Sequence, residues 1–250
     1  MTEIIKEKLL EIEKKENVKI LLAVESGSRA WGFPSPDSDY DVRFIYVRPK
    51  EEYLKLNRCR DVIEYPINDM LDINGWDLDK ALKLLFKSNP TLFEWLNSPV
   101  VYMQNDAFVN EIKAVYDHYF NTKNSLYHYL SMAQSNYREY LKTDMVRAKK
   151  YFYVLRPILC CRWILEHKSA PPMQFSQLVE TQLDKAILSE IEYLLDLKMN
   201  SPEIKMIPRI DVINEYIDKS FAELELLVKE DEVSTEKSWN ELDELFLKMV

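Results

Sequence analysis

The sequence predicts an α+β fold: a small mixed β-sheet domain over residues 1–120, followed by an all-helical domain over residues 121–250. Three observations predict it. Runs of strand length, apolar throughout or alternating, gather in the first half. From residue 125 onward apolar side chains recur at helical spacing between proline breaks. Glycine, about 7% of an average chain, occurs three times in 250 residues, and two of the three fall within residues 24–43. In so glycine-poor a chain, a retained glycine marks backbone that needs an unusual conformation or a close approach.

Thr2 is placed to cap a helix over residues 3–16, with Ile4, Ile5, Leu9, Leu10 and Ile12 as its apolar stripe. Residues 18–25 form the first strand, whose continuous apolar run suits burial on both faces of a sheet. Gly27-Ser28 ends it and opens a turn with one helical turn, broken by Pro34 and Pro36. Residues 41–47 are the second strand, and residues 49–56 a short helix burying Tyr53, Leu54 and Leu56. Residues 61–67 alternate as a strand and residues 70–73 make another, with Gly75 turning the chain ahead of a helix from Leu78 that Asp77 can cap. Ser88-Asn89-Pro90 ends that helix, and Pro90 opens another through Trp95. An edge strand over 100–103 and a helix over 106–120 complete the first domain.

The second half reads as helices over 125–142 and 144–166, the latter carrying Pro157, and then over 175–196, 210–228 and 238–249. The run Glu230-Asp231-Glu232 reads as a solvated bend. No apolar run reaches the roughly 18 residues of a membrane span, and the charged, amphipathic N-terminus is unlike a signal peptide. Cys59, Cys160 and Cys161 have no zinc-ligand spacing and read as buried thiols of a reduced, cytoplasmic protein. His118, His128 and His167 also lack ligand spacing. A net charge of −9 argues against broad nonspecific nucleic-acid binding. Residues 125–168 are the exception, with eight Lys or Arg against three acids. A basic segment in an acidic chain is a candidate anion site. Lys142, Lys149 and Arg156 are seven apart and share a face if the two helices are nearly continuous, with Arg138, Lys150 and Tyr153 close by.

The chemistry concentrates in residues 24–43. Asp39 and Asp41 alternate with Tyr40 and Val42 at a strand start, so the two carboxylates project to one face and can hold hard cations. Gly27-Ser28 brings backbone N–H groups and a hydroxyl to a place where a phosphate could sit. Asp72, flanked by Leu71 and Ile73, is an acid on an otherwise apolar strand, which costs stability unless it is paired or metal-bound.

Gly27-Ser28-Arg29-Ala30-Trp31-Gly32 with Ser38-Asp39-Tyr40-Asp41 resembles the signature of the polymerase-β-type nucleotidyltransferase superfamily. Residues 25–42 with Gly75-Trp76-Asp77-Leu78 and Ser88-Asn89-Pro90 resemble more narrowly its RNA-ligase-associated branch of nucleotidyltransferases. The resemblance implies a third carboxylate beside Asp39 and Asp41, assigned to Asp72 with Asp77 as its rival. Together they would hold two Mg²⁺, or Mn²⁺. It implies a nucleoside triphosphate bound by Gly27, Ser28 and Arg29, with Lys149, Lys150, Tyr153 and Arg156 of the appended helical domain as further contacts. The expected activity is transfer of a nucleoside monophosphate to a hydroxyl acceptor such as an RNA end. The alternative is an antitoxin-like protein that adenylylates, or binds nucleotide for, a protein partner.

Overall fold

A computed structural model describes residues 1–65, 70–202, 204–230 and 237–250. Ile67, with which the expected strand over 61–67 would end, lies outside the described residues, as do Asp231 and Glu232 of the expected acidic bend. The chain divides into two compact units. The first holds Met1–Ala30, Asp39–Phe120 and the C-terminal stretch from residue 237; the second holds Trp31–Ser38 and the described residues from Asn121 to Glu230. Besides the boundary at residue 120, the chain passes between the units three times, once at each end of the segment 31–38 and once before the C-terminal helix.

The first unit opens with α1 (Thr2–Glu16), β1 (Lys19–Ser26), the short α2 (Gly27–Trp31) and β2 (Tyr40–Val47). There follow α3 (Lys50–Tyr53), β3 (Val62–Glu64), β4 (Leu71–Asp77), α4 (Leu78–Phe86), α5 (Pro90–Leu96), β5 (Val101–Gln104) and α6 (Asp106–Tyr119). The five strands form one sheet in the order β3-β4-β2-β1-β5. Among the described residues, β2–β4 is the one parallel pairing of this sheet. Ile5, Leu9 and Ile12 of α1 pack with Val42, Phe44 and Tyr46 in one buried cluster. Each such side chain, fully buried, contributes about 1.5–3 kcal/mol. Ile4 and Leu10, expected in that stripe, are exposed, as are Leu54 and Leu56 after α3. Because strand residues alternate, the face opposite α1 receives Asp41 and Arg43. A register shift at Leu21 lets Ile20 and Ala23 both join the α1 face.

Gly75 does not turn the chain. β4 runs through it, and a Cβ there would lie 2.2 Å from the ring of Phe44, its register partner. The glycine makes room for a phenylalanine on the neighbouring strand.

In the second unit come α7 (Thr122–Tyr140), β6 (Met145–Arg147), α8 (Lys149–His167), α9 (Phe175–Gln182), α10 (Leu188–Met199), β7 (Met206–Pro208) and α11 (Asp211–Glu230). β6 and β7 pair antiparallel, so α7 and α8 are not continuous. Tyr151 ties this region together: its hydroxyl donates to Asn214 Oδ1 at 3.0 Å and accepts from Ile210 N–H at 2.8 Å. The helix expected over 175–196 breaks at Leu183, which is extended, and Asp184 caps the short 3-10 turn that follows. Phe33 of the segment 31–38 packs against Phe152 and Phe175, which is why that segment belongs to the helical unit.

The chain's last helix, α12 (Asn240–Met249), returns to the first unit. Trp239 stacks on Phe86 at 3.7 Å, Phe246 meets Tyr53, and the Tyr119 hydroxyl donates to Ser238 O. No helix of the described residues is long and apolar enough to cross a membrane. Cys160 and Cys161 are buried, whereas Cys59, expected to be buried, is exposed.

Candidate active site

The parallel pairing of β2 and β4 sets Asp41 directly beside Asp72. Both carboxylates rest on one guanidinium: Arg43 Nη2 donates to Asp72 Oδ2 at 2.7 Å and to Asp41 Oδ1 at 3.1 Å. Arg43 Nη1 in turn donates to the carbonyls of Asp72 at 2.9 Å and Val42 at 3.2 Å. Arg43 was not singled out from sequence. The signal was available, because it stands two residues beyond Asp41 and shares its face.

Gly27 completes this corner. Its φ is +63°, and a Cβ built on it would fall 2.2 Å from Asp41 Oδ2. The close approach anticipated for this glycine is thus an approach to the Asp41 carboxylate, and any side chain would push that carboxylate aside. Ser28 follows within α2. Arg29 Nε donates to Asp39 O at 3.1 Å, and its guanidinium lies 3.7 Å from the ring of Tyr40. Asp39 itself precedes β2 and is exposed.

A second carboxyl supports Asp41 from the opposite face. Glu25 pairs in register with Val42, is fully buried, and accepts the Asp41 N–H at Oε1 at 2.8 Å and the Tyr102 hydroxyl at Oε2. Burial pushes the Glu25 carboxyl above the ordinary glutamate range, while the Tyr102 hydroxyl and Asp41 N–H hold it down. Sequence reasoning missed its role, since Tyr102 is 77 residues away.

Asp77 is placed elsewhere. It lies at the far end of β4, buried, capping α4 by accepting Asp79 N–H at 3.0 Å and receiving the Tyr53 hydroxyl at 2.9 Å. Its register partner is Tyr46, five positions along from the Asp41–Asp72 pair. Burial raises its carboxyl above the usual aspartate value, with the cap and Tyr53 opposing.

For a divalent ion the donor chemistry fits: the acids are hard oxygen ligands, two of them in register on neighbouring strands. Among the described residues, no three His, Cys, Asp or Glu side chains stand in a metal-holding cluster. Asp41 and Asp72 are brought together, and Asp39 does not join them in a triad.

In the helical unit, Lys150 Nζ lies 3.5 Å from the ring centroid of Tyr140 and 4.8 Å from that of Tyr153. Tyr153 meets Trp31 edge-on at 5.9 Å. Lys149 and Lys150 are half-buried. Arg156 is 3% exposed, with its guanidinium 4.7 Å from the Trp31 ring, so it does not belong to an open basic face. Lys142 falls between α7 and α8 rather than on a shared helical stripe.

The family described as "RNA repair pathway DNA polymerase beta family" matches residues 1–248. The chain is similar, at 46% identity over 245 residues, to the uncharacterized protein YcgL of Bacillus subtilis (strain 168), covering 98% of this chain and 94% of that protein. It also aligns with the solved structure of a nucleotidyltransferase-like protein from Exiguobacterium sibiricum 255-15. That alignment spans 90% of this chain and 74% of the other, at 13% identity and a TM-score of 0.31.

Proposed function

The chain belongs to the RNA repair pathway DNA polymerase beta family, and from that premise we propose that it transfers a nucleoside monophosphate from a nucleoside triphosphate to the hydroxyl of an RNA end. The observation that carries the reading is the in-register pair Asp41 and Asp72, with Gly27 holding its backbone against the Asp41 carboxylate. Paired carboxylates beside a glycine turn suit a reaction in which a divalent cation must be held where it can neutralise the negative charge of the phosphates.

In this reading Asp41 and Asp72 would hold Mg²⁺ or Mn²⁺, with Asp39 drawn in by the bound ion, which would supply charge neutralisation at the transferred phosphate and the pyrophosphate leaving group. Gly27 and Ser28 receive the outer phosphates. Arg29, already fixed on the Asp39 carbonyl, adds a positive charge at the same end of β2. Asp72 accepts the proton of the attacking hydroxyl, which a carboxylate can do once the hydroxyl oxygen is within hydrogen-bond reach. Glu25 fixes the Asp41 backbone and so orients its carboxylate. Lys149, Lys150 and Tyr153 are the proposed further nucleotide contacts. Arg156 is assigned to supporting Trp31, because it is buried beneath that ring.

The test is incubation with each α-labelled nucleoside triphosphate, Mg²⁺ or Mn²⁺, and RNAs with defined ends. Label should move to RNA bearing a free terminal hydroxyl and should not move with Asp41→Asn or Asp72→Asn. Label arriving on a co-purifying protein instead of RNA would reassign the acceptor. Equal labelling by wild type and Asp41→Asn would remove the site from the reaction.

A further inference from the structure

We propose that Arg43 is a positioning residue that competes with the divalent cation for Asp41 and Asp72, and that it yields this place to the cation when a triphosphate arrives. The inference rests on the reading of Asp41 and Asp72 as cation ligands.

Four hydrogen bonds define the Arg43 side chain. Two bind Nη1 to the carbonyls of Asp72 and Val42, and two bind Nη2 to one oxygen each of Asp41 and Asp72. The side chain is 18% exposed, so this is a largely enclosed arrangement rather than a surface ion pair. A cation bridging those same two oxygens would sit about 2.0–2.5 Å from each. Nη2 occupies that space at 2.7 and 3.1 Å. The two positive groups cannot share it, by overlap and by repulsion. Binding of one therefore displaces the other from the bridge.

Charge gives the direction. With Arg43 docked, the pair and its guanidinium carry −1; without it they carry −2, which attracts a divalent ion more strongly. A displaced guanidinium needs a new anion, because leaving it without one in a partly buried place is costly. The anion that accompanies the cation is the triphosphate itself, and a guanidinium binds phosphate in two-pronged fashion. Cation and triphosphate should then bind cooperatively, and linkage requires each to raise the affinity of the other by the same factor.

The experiment is Mn²⁺ binding to the full chain, by electron paramagnetic resonance and calorimetry, with and without a non-hydrolysable nucleoside triphosphate. Wild type should bind Mn²⁺ weakly alone and at least tenfold more tightly with the nucleotide, after allowing for the Mn²⁺ that the nucleotide itself chelates. Arg43→Gln should bind Mn²⁺ alone about tenfold more tightly than wild type, and the gain from nucleotide should shrink. Its melting temperature should fall without Mn²⁺, where two carboxylates face each other, and Mn²⁺ should raise it more than in wild type. Arg43→Lys keeps a charge but cannot span two carboxylates and two carbonyls together, so it should bind Mn²⁺ several-fold more tightly than wild type. It also provides a reading should Arg43→Gln fail to fold. Unchanged or weaker Mn²⁺ binding in the folded variants overturns the competition while leaving the carboxylate site intact. If no protein binds Mn²⁺, or if Asp41→Asn binds it as wild type does, the assignment of the cation ligands fails, and the inference with it.

Discussion

At the scale of single residues, two substitutions separate geometry from charge. Gly27→Ala adds one carbon to a residue at φ +63°, at a point 2.2 Å from Asp41 Oδ2. The left-handed backbone costs a non-glycine residue roughly 1–2 kcal/mol. The larger consequence is displacement of the carboxylate, so nucleotide transfer should fall by orders of magnitude for a modest drop in melting temperature. A loss of activity no larger than the loss of folded protein would show that the close approach is only structural. Glu25 tests charge. Its carboxyl titrates above the ordinary glutamate value because it is buried, so the folded chain binds a proton more tightly than the unfolded chain. Stability should fall as pH rises from the ordinary glutamate value, about 4.3, to the raised folded value. Glu25→Gln removes that dependence and keeps an acceptor for the Asp41 N–H; its denaturant midpoint should be flatter across that window than that of wild type. Glu25→Ala leaves the Asp41 N–H and the Tyr102 hydroxyl without their acceptor, at about 1–3 kcal/mol each. Gly27, Asp39 and Asp41 stand out in the sequence by composition and alternation. Glu25 does not, because its partner comes from β5, and only the fold brings the two strands together.

At the scale of elements, β4 carries two acids with different structural duties. Asp72 stands beside Asp41, while Asp77 ends the strand and starts α4. Asp77→Ala should cost about 1 kcal/mol for the lost cap and somewhat more for the Tyr53 hydroxyl it accepts, with Mn²⁺ binding and transfer retained. Asp72→Ala should give the opposite pattern: near-native melting, no transfer. Thermal melts read alongside labelling decide the matter, and the reverse pattern would exchange the two roles. Most elements were legible because their signals are local: the cap Asp77, the proline at the start of α5, the apolar run of β1. The failures have physical causes. Gly75 read as a turn because Phe44, which needs its missing Cβ, lies on another strand. β6 and β7 are three residues each, too short for any alternation, and exist through mutual pairing. The break at Leu183 carries no proline or glycine; an extended backbone and the Asp184 cap make it.

At the scale of the molecule, the question is what the basic segment in an acidic chain binds. Residues 125–168 carry eight Lys or Arg against three acids in a protein of net charge −9. The structure sorts these residues by exposure, which sequence could not do. Arg156 is buried under Trp31, so Arg156→Ala should act mainly on stability, through a lost packing partner in the core of the helical unit. Lys149 and Lys150 are half-buried, and Lys150 is steadied by the rings of Tyr140 and Tyr153. A cation held on two rings has little rotamer freedom left to lose on binding an anion. Replacing Lys149 and Lys150 together by alanine should therefore leave melting nearly unchanged. If they serve the triphosphate, nucleotide affinity should drop about tenfold or more, since each charge-assisted contact is worth roughly 1.5–3 kcal/mol. The drop should be larger for a triphosphate than for a monophosphate. If they serve an RNA acceptor, nucleotide affinity stays put, and the plot of log affinity for RNA against log salt flattens by about 0.7 per lost phosphate contact on a single strand. Equilibrium titrations of both ligands at several salt concentrations separate these outcomes. Unchanged affinity for nucleotide and RNA alike would make the segment ordinary solvated surface and leave ligand binding to the residues around β2 and β4.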